Sequence, residues 1–282
     1  MTGLNSSYVE TMLRAFLEED NRFWDVTSEI VPDKSGLAII RAKNLGIVAG
    51  IPFAEQLFQI LGLEIIETIP EGTEVKLGDE ILRAQGKASQ ILIGERTALN
   101  ILMRLSGIAT YTNKCVQKVR NAGYKTKIAG TRKTTPGFRI FEKYAIKIGG
   151  GDPHRFALDT SILIKNNHLK LFDNVTTAIN KAKKTASFVI KIEIEVETKE
   201  QALEAVKAEA DIILLDNFSP EEMKEVVSEI RALNLTQPIL EASGGITIDN
   251  IVDYAATGVD VISLGILTHS APVLDLSLSL SI

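Results

Sequence analysis

From residue 125 onward, short apolar runs rich in β-branched residues alternate with stretches whose apolar positions recur at helical period. Strand and helix in turn is the pattern of successive βα units around a parallel sheet. The predicted strands are Thr126 to Ala129, Ser161 to Lys165, Phe188 to Val196, Asp211 to Leu215, Pro238 to Glu241 and Val259 to Leu264. The clearest intervening helix begins at Ser219, with Pro220 at its first position and Glu222 three residues after the cap. Its apolar residues Met223, Val226, Val227 and Ile230 share one face. Six strands with helices between them favour a (β/α) barrel, closed or incomplete, over a doubly wound sheet.

The first hundred residues follow another pattern. An amphipathic helix is expected near Tyr8 to Leu17, with β-like runs at Gly36 to Ala42 and Gly46 to Ala49. Glu74 to Lys76 and Glu80 to Ala84 read as a hairpin around Leu77-Gly78, so this half is a small α+β domain. A helical stretch from about Ala88 to Arg120 follows and links the parts, and the chain shows no low-complexity linker.

Composition narrows the class. The chain has 282 residues, 45% of them hydrophobic and 24% charged, which excludes fibrous and disordered readings. A net charge of −5 argues against a nucleic-acid partner, because phosphate neutralisation needs surplus Lys and Arg. The single cysteine, Cys115, cannot form an internal disulfide and reads as a small buried hydrophobe. The first twenty residues lack the pattern of a signal peptide, and no stretch approaches the roughly 20 apolar residues of a membrane span. A soluble, cytoplasmic protein without a membrane partner is expected.

In a parallel βα barrel, the strand ends that lead into helices form one rim, where functional side chains collect. Those ends carry Thr131-Arg132-Lys133-Thr134-Thr135-Pro136-Gly137, Lys165-Asn166-Asn167-His168, Glu193 to Glu197, Asp216-Asn217, Glu241-Ala242-Ser243-Gly244-Gly245, and Gly265 followed by Thr268 and His269. Between Arg132 and Lys165 there are seven Lys or Arg residues against three acids, a basic island in an acidic chain. Such an island suits an anionic small substrate. Arg139, Lys143 and Lys147 are expected to form only the solvated face of one helix.

Strict alternation in Lys191-Ile192-Glu193-Ile194-Glu195-Val196-Glu197 puts the carboxylates on one face of their strand. That face points either into the barrel or outward from an exposed edge. Inward, beside Asp216, it would suit a hard divalent cation with oxygen ligands. Ser243-Gly244-Gly245, with Thr247 at an expected helix start, offers backbone N–H groups to an anion or is an ordinary tight turn. Gly149-Gly150-Gly151 is no P-loop and is expected to end a helix, letting His154-Arg155 swing into the mouth. The three histidines lack any paired zinc spacing.

Taken in order, Thr131-Arg132-Lys133-Thr134-Thr135-Pro136-Gly137, Gly149-Gly150-Gly151 with His154-Arg155, Leu163-Ile164-Lys165 with Asn167-His168, Glu193-Ile194-Glu195-Val196, Leu214-Leu215-Asp216-Asn217 and Glu241-Ala242-Ser243-Gly244-Gly245 resemble the quinolinate phosphoribosyltransferase family. Upstream, Gly46-Ile47-Val48-Ala49-Gly50, Glu95-Arg96-Thr97-Ala98-Leu99-Asn100 and Leu105-Ser106-Gly107-Ile108-Ala109-Thr110 extend the likeness over nearly the whole chain.

The resemblance implies an N-terminal α/β sandwich domain, residues 1–110, with a tail of about 270–282 packing back on it. An irregular open (β/α) barrel of about six strands, residues 111–269, would be the catalytic domain. It implies a homodimer with an active site shared between subunits, and transfer of a phosphoribosyl group from phosphoribosyl diphosphate to quinolinate. Decarboxylation would then give nicotinate mononucleotide, CO2 and diphosphate in NAD biosynthesis.

Carried over residue by residue, Arg132, His154, Arg155 and Lys165 would bind the carboxylates of quinolinate, with Arg96 supplied by the neighbouring subunit. Lys133, Glu195 and Asp216 would serve phosphoribosyl diphosphate and its Mg2+, with Glu195 and Asp216 holding the metal directly or through water. Ser243, Gly244, Gly245 and Gly265 would hold the 5′-phosphate. Lys133, Lys165, Glu195 and Asp216 form the implied catalytic set. The alternation leaves Glu193 or Glu195 as the matched acid, and Asn166 stands where the family generally has an acidic residue. Competing readings are a related molybdenum-transport-associated protein, a Schiff-base aldolase using Lys165, and a non-catalytic phosphate-ligand binder.

Overall fold

The computed structural model describes residues 6–282, which divide into two compact units, one of residues up to 111 together with 271–282 and the other of residues 112–270. The first unit contains α1 (Ser6–Asp20), β1 (Ser35–Ala42), β2 (Gly46–Ile47), α2 (Ile51–Ile60), β3 (Glu64–Thr68), β4 (Glu74–Val75) and β5 (Glu80–Lys87). Helix α3 (Ala88–Asn121) runs on past the division between the units. The second unit holds β6 (Lys127–Ala129), α4 (Arg139–Ile148), β7 (Ile162–Ile164), α5 (Asn166–Leu169), α6 (Val175–Thr185), β8 (Ile192–Val196), α7 (Lys199–Lys207), β9 (Ile212–Asp216), α8 (Pro220–Ala232), β10 (Ile239–Ser243), α9 (Ile251–Ala255), β11 (Val261–Ser263) and α10 (Ile266–His269). The last strand, β12 (Leu276–Ser281), returns to the first unit.

In the first unit an antiparallel sheet runs β12-β1-β5-β3, and α1 packs on α2, burying Val9, Leu13, Phe53, Leu57 and Phe58. The expected hairpin does not form. Strand β4 pairs instead with β2, while β5 pairs with β1 and β3. The turn itself exists, with Asp79 Oδ2 accepting the Lys76 N–H at 2.9 Å, but Val75 is buried and belongs with Gly46. A short polar turn between two apolar runs specifies a reversal, and it leaves open which neighbour each run chooses.

The second unit is a parallel six-stranded sheet in the order β6-β11-β10-β9-β8-β7. The order is that of a (β/α) barrel opened between β6 and β7, which are not paired among the described residues. The fold class is thus the expected α/β one. Strand ends shift by up to a few residues, most at β8, where 188–191 form an exposed loop with Phe188 at 99% exposure. Helix α8 starts as its pattern predicts: Ser219 Oγ accepts the Glu222 N–H at 3.3 Å, and Glu222 Oε2 accepts the Ser219 N–H at 2.9 Å. Its four predicted apolar residues are buried, each contributing about 1.5–3 kcal/mol relative to exposure. Cys115 is buried and free, and burial pushes its thiol up to about 11.

Helix α4 departs from expectation. Only Lys147 is exposed there, whereas Lys143 is fully buried and Arg139 partly so. Lys143 Nζ donates to the carbonyls of Pro153 and His154 and lies 5.3 Å from the Phe156 ring centroid. Arg139 donates to Thr134 Oγ1 at 2.9 Å and to the Phe156 carbonyl at 3.1 Å. Buried Glu142 accepts the Thr135 N–H and hydroxyl, each at 3.0 Å. The helix clamps two loops, because their polar groups need partners away from water. No helix among the described residues is long and apolar enough to cross a membrane.

Candidate active site

Parallel register brings the ends of the six strands to one edge. Asp216 lies opposite Ser243, Leu214 lies between Glu195 and Glu241, and Ser263 lies beside Ala129. A cleft of about 450 Å3 opens there. Cationic groups line it from three loops: Arg132 and Lys133 after β6, His154 and Arg155 after α4, and Lys165 after β7. Glu193, Glu195, Asp216, Glu241 and Ser243 line it from the strands themselves. Strand β8 sits between β7 and β9, so its carboxylate face is no sheet edge, and both Glu193 and Glu195 reach the cleft.

Lys133 is exposed, and its carbonyl accepts the Thr268 hydroxyl at 2.6 Å. A Cβ at Gly265 would stand 3.0 Å from Lys133 Cδ and 3.1 Å from the His269 ring, so Gly265 leaves room for both side chains. The buried Arg132 Nε has no hydrogen-bond partner within the protein. Arg155 donates from Nη1 to the Ser161 carbonyl at 3.2 Å. Lys165 is half-exposed, with Nζ 3.8 Å from Glu195 Oε2, and its backbone N–H donates to His168 Nδ1 at 3.0 Å. His168 thus shapes the turn that carries Lys165.

Acidic groups gather beside Lys165 in the same mouth. Burial, reinforced by Glu195 and Glu197, holds the Asp216 carboxyl above its ordinary value against the opposing charges of Lys133 and Lys165. Asn166 donates from Nδ2 to Glu197 Oε1 at 2.5 Å. An acid at that position would place a third negative charge against Glu195 and Glu197, and the amide relieves it. Gly244 has φ +93°, and a Cβ there would come within 2.7 Å of the Asn217 backbone nitrogen, so the turn after Ser243 demands glycine. Gly245, at φ +62°, faces open space. Neither glycine nor Gly265 is among the lining residues, and α9 begins at Ile251, four residues beyond the expected start at Thr247. Arg96 is an exposed residue of α3 in the first unit and does not line this cleft.

Two groups gain a part that the sequence reading did not give them. Glu241 is buried, with a side chain 3% exposed, and His154 Nε2 lies 3.2 Å from its Oε2 and 3.7 Å from Glu193 Oε1. The first distance is a hydrogen bond and the second an ion-pair separation only. Burial alone would lower the His154 pKa, but the two carboxylates outweigh it and push the imidazole up to about 10. The Arg155 N–H, 2.8 Å from Nδ1, opposes this, because only a neutral ring can accept it. A neutral hydrogen bond contributes about 1 kcal/mol, worth roughly 0.7 of a pKa unit, and two buried carboxylates exceed that. Their signal was available: Glu241 shares the inward parity of Ser243, as Glu193 does that of Glu195.

Cations and carboxylates lining one cleft at the carboxyl ends of parallel strands define an enzyme that handles small, multiply charged anions. Family models give the same result: the quinolinate phosphoribosyl transferase N-terminal domain matches residues 25–106 and the C-terminal domain residues 108–279. A protein of Archaeoglobus fulgidus named probable nicotinate-nucleotide pyrophosphorylase (carboxylating) is 46% identical over 91% of this chain and 98% of its own. The Rattus norvegicus nicotinate-nucleotide pyrophosphorylase (carboxylating) is 38% identical over 95% and 90%. The solved structure of the nicotinate-nucleotide pyrophosphorylase from Francisella tularensis is similar with a TM-score of 0.92, at 37% identity, over 99% of this chain and 98% of that one. The chain belongs to the quinolinate phosphoribosyltransferase family.

Proposed function

We propose that this chain transfers the phosphoribosyl group of phosphoribosyl diphosphate to quinolinate and decarboxylates the product to nicotinate mononucleotide, within NAD biosynthesis. The observation that carries the reading is the meeting of Arg132, His154, Arg155 and Lys165, from separate loops, around one cleft with Lys133, Glu195 and Asp216. Quinolinate brings two adjacent carboxylates, and fixed guanidinium and ammonium groups bind such a dianion and orient its ring nitrogen. The nitrogen attacks the anomeric carbon, the bond to diphosphate breaks, and positive charge develops on the ribose ring. Glu195 and Asp216 offset that charge, and Lys133 neutralises the departing anion. The 2-carboxylate then leaves as CO2, its electron pair stays at ring carbon 2 under the pyridinium charge, and that carbon takes up a proton.

Mg2+ is the proposed metal. Glu195 and Asp216 are partly exposed oxygen donors, and burial, reinforced by the Glu195 and Glu197 charges, raises the Asp216 carboxyl, which a hard cation would relieve. Bound with diphosphate, the ion supplies charge neutralisation at the leaving group. Ser243 and the Gly244-Gly245 turn are proposed to hold the 5′-phosphate together with Gly265. Arg96, exposed on α3, is proposed to act on quinolinate in a neighbouring subunit of a homodimer, and the cytoplasm is the proposed location. With quinolinate, phosphoribosyl diphosphate and Mg2+, the purified protein should form nicotinate mononucleotide; nicotinate in place of quinolinate should give none. Equal turnover of nicotinate, or none of quinolinate, would overturn the reading.

A further inference from the structure

Resting on that reading of the cleft, we infer that Glu193 and Glu241 are positioning residues that hold His154 as a fixed imidazolium beside Arg132, Arg155 and Lys165 in the quinolinate pocket. Three observations converge. The first is backbone conformation: His154 has φ +56°, a left-handed state that non-glycine residues seldom adopt. It is held there from both sides, its N–H donating to Asp152 Oδ1 at 2.7 Å while Lys143 Nζ donates to the carbonyls of Pro153 and His154. A strained residue persists only where its surroundings fix it, and here they aim the ring at the floor of the cleft.

The second observation is the floor itself. The side chains of Glu193 and Glu241 are 1% and 3% exposed, and the reactive atoms of the two acids and the imidazole lie within 4.8 Å of one another. Glu193 Oε1 and Oε2 and Glu241 Oε1 find no hydrogen-bond partner in the protein. Two buried acids so poorly satisfied need a cation, and the ring is the group placed between them. The third is the company of the ring: Arg132, Arg155, Glu193 and Glu241 line the same cleft, Asp152 accepts the His154 N–H, and Lys143 holds the loop that carries it. Without the two acids, burial would favour the neutral imidazole. With them, the ring stays charged and offsets one of their two negative charges at the floor on which a dianion must rest.

The test is NMR titration of histidine-labelled protein, with the His154 signal identified by its loss in His154→Gln. Wild type should stay protonated beyond pH 8.5, and Glu193→Gln and Glu241→Gln should each lower the midpoint by at least one unit. In assays the same variants should raise the quinolinate KM tenfold or more at pH 8.5, less at pH 6, with a smaller change in kcat. A wild-type His154 midpoint at or below 6.5, or variants with the wild-type midpoint, would overturn the inference. If either variant fails to fold, the wild-type midpoint decides alone. Failure to form nicotinate mononucleotide would count against the proposed reaction and leave the titration result standing.

Discussion

At residue scale, the cleft depends on side chains that never reach its surface. Lys143 is the clearest: burial, with Arg139 adding to it, lowers its pKa to about 8, yet it supplies donors to two carbonyls of the loop that carries His154 and Arg155. Lys143→Met keeps the volume and removes those donors, leaving two part-buried carbonyls without their partner, at about 1 kcal/mol each. The expected outcome is a folded protein with kcat/KM for quinolinate reduced about tenfold or more, read by steady-state kinetics. Asp216 works in the opposite sense. Its raised pKa means that its ionised form is destabilised in the folded protein, so the native state loses stability as pH rises through the carboxylate range. Asp216→Asn should therefore raise Tm at pH 7 by about 1–3 °C while abolishing most activity. A lowered Tm in a folded variant would show that the acid is structural.

At the scale of elements, strand ends and turns set the site, and their chemistry differs in how plainly it can be read. Helix α8 was fully legible, since Ser219, Pro220 and Glu222 specify its start by local bonding and four apolar residues specify its buried face. Ser219→Ala should lower stability by about 1 kcal/mol in denaturant unfolding, with activity unchanged. The turn after β10 was legible only as glycine-rich; that Gly244 must be glycine follows from its φ and the nearby Asn217 backbone, which no local pattern discloses. Gly244→Ala should destabilise by about 2–4 kcal/mol. Helix α4 is less legible because its charges match a solvated face, whereas the return of residues 153–156 covers Lys143. The pairing of β4 with β2 was hidden for the same reason: long-range partners are chosen by the assembled sheet.

For the whole molecule, the parallel order of the second unit turns six sequence-distant strand ends into one rim. That rim could be read from the rhythm of strands and helices, and the cations on it from their place after each strand. What stayed hidden was depth, because alternation puts Glu193 and Glu195 on one face without saying that only the first is fully buried. Depth has a consequence for the pH dependence of folding. A folded-state pKa of about 10 for His154, against an ordinary 6.5, means its contribution to stability is complete below pH 6.5 and is lost as pH rises toward 10. The stability difference between wild type and His154→Gln should shrink over that window in denaturant titrations, and a constant difference would refute it.

The central claim is that one cleft both transfers the phosphoribosyl group and releases the 2-carboxylate. Its most direct measurement uses quinolinate labelled in that carboxylate, with CO2 and diphosphate followed in the same reaction. Equal yields of the two are predicted in wild type, and Arg155→Ala should lose both together. Diphosphate released without CO2, or undiminished CO2 from the variant, would contradict it.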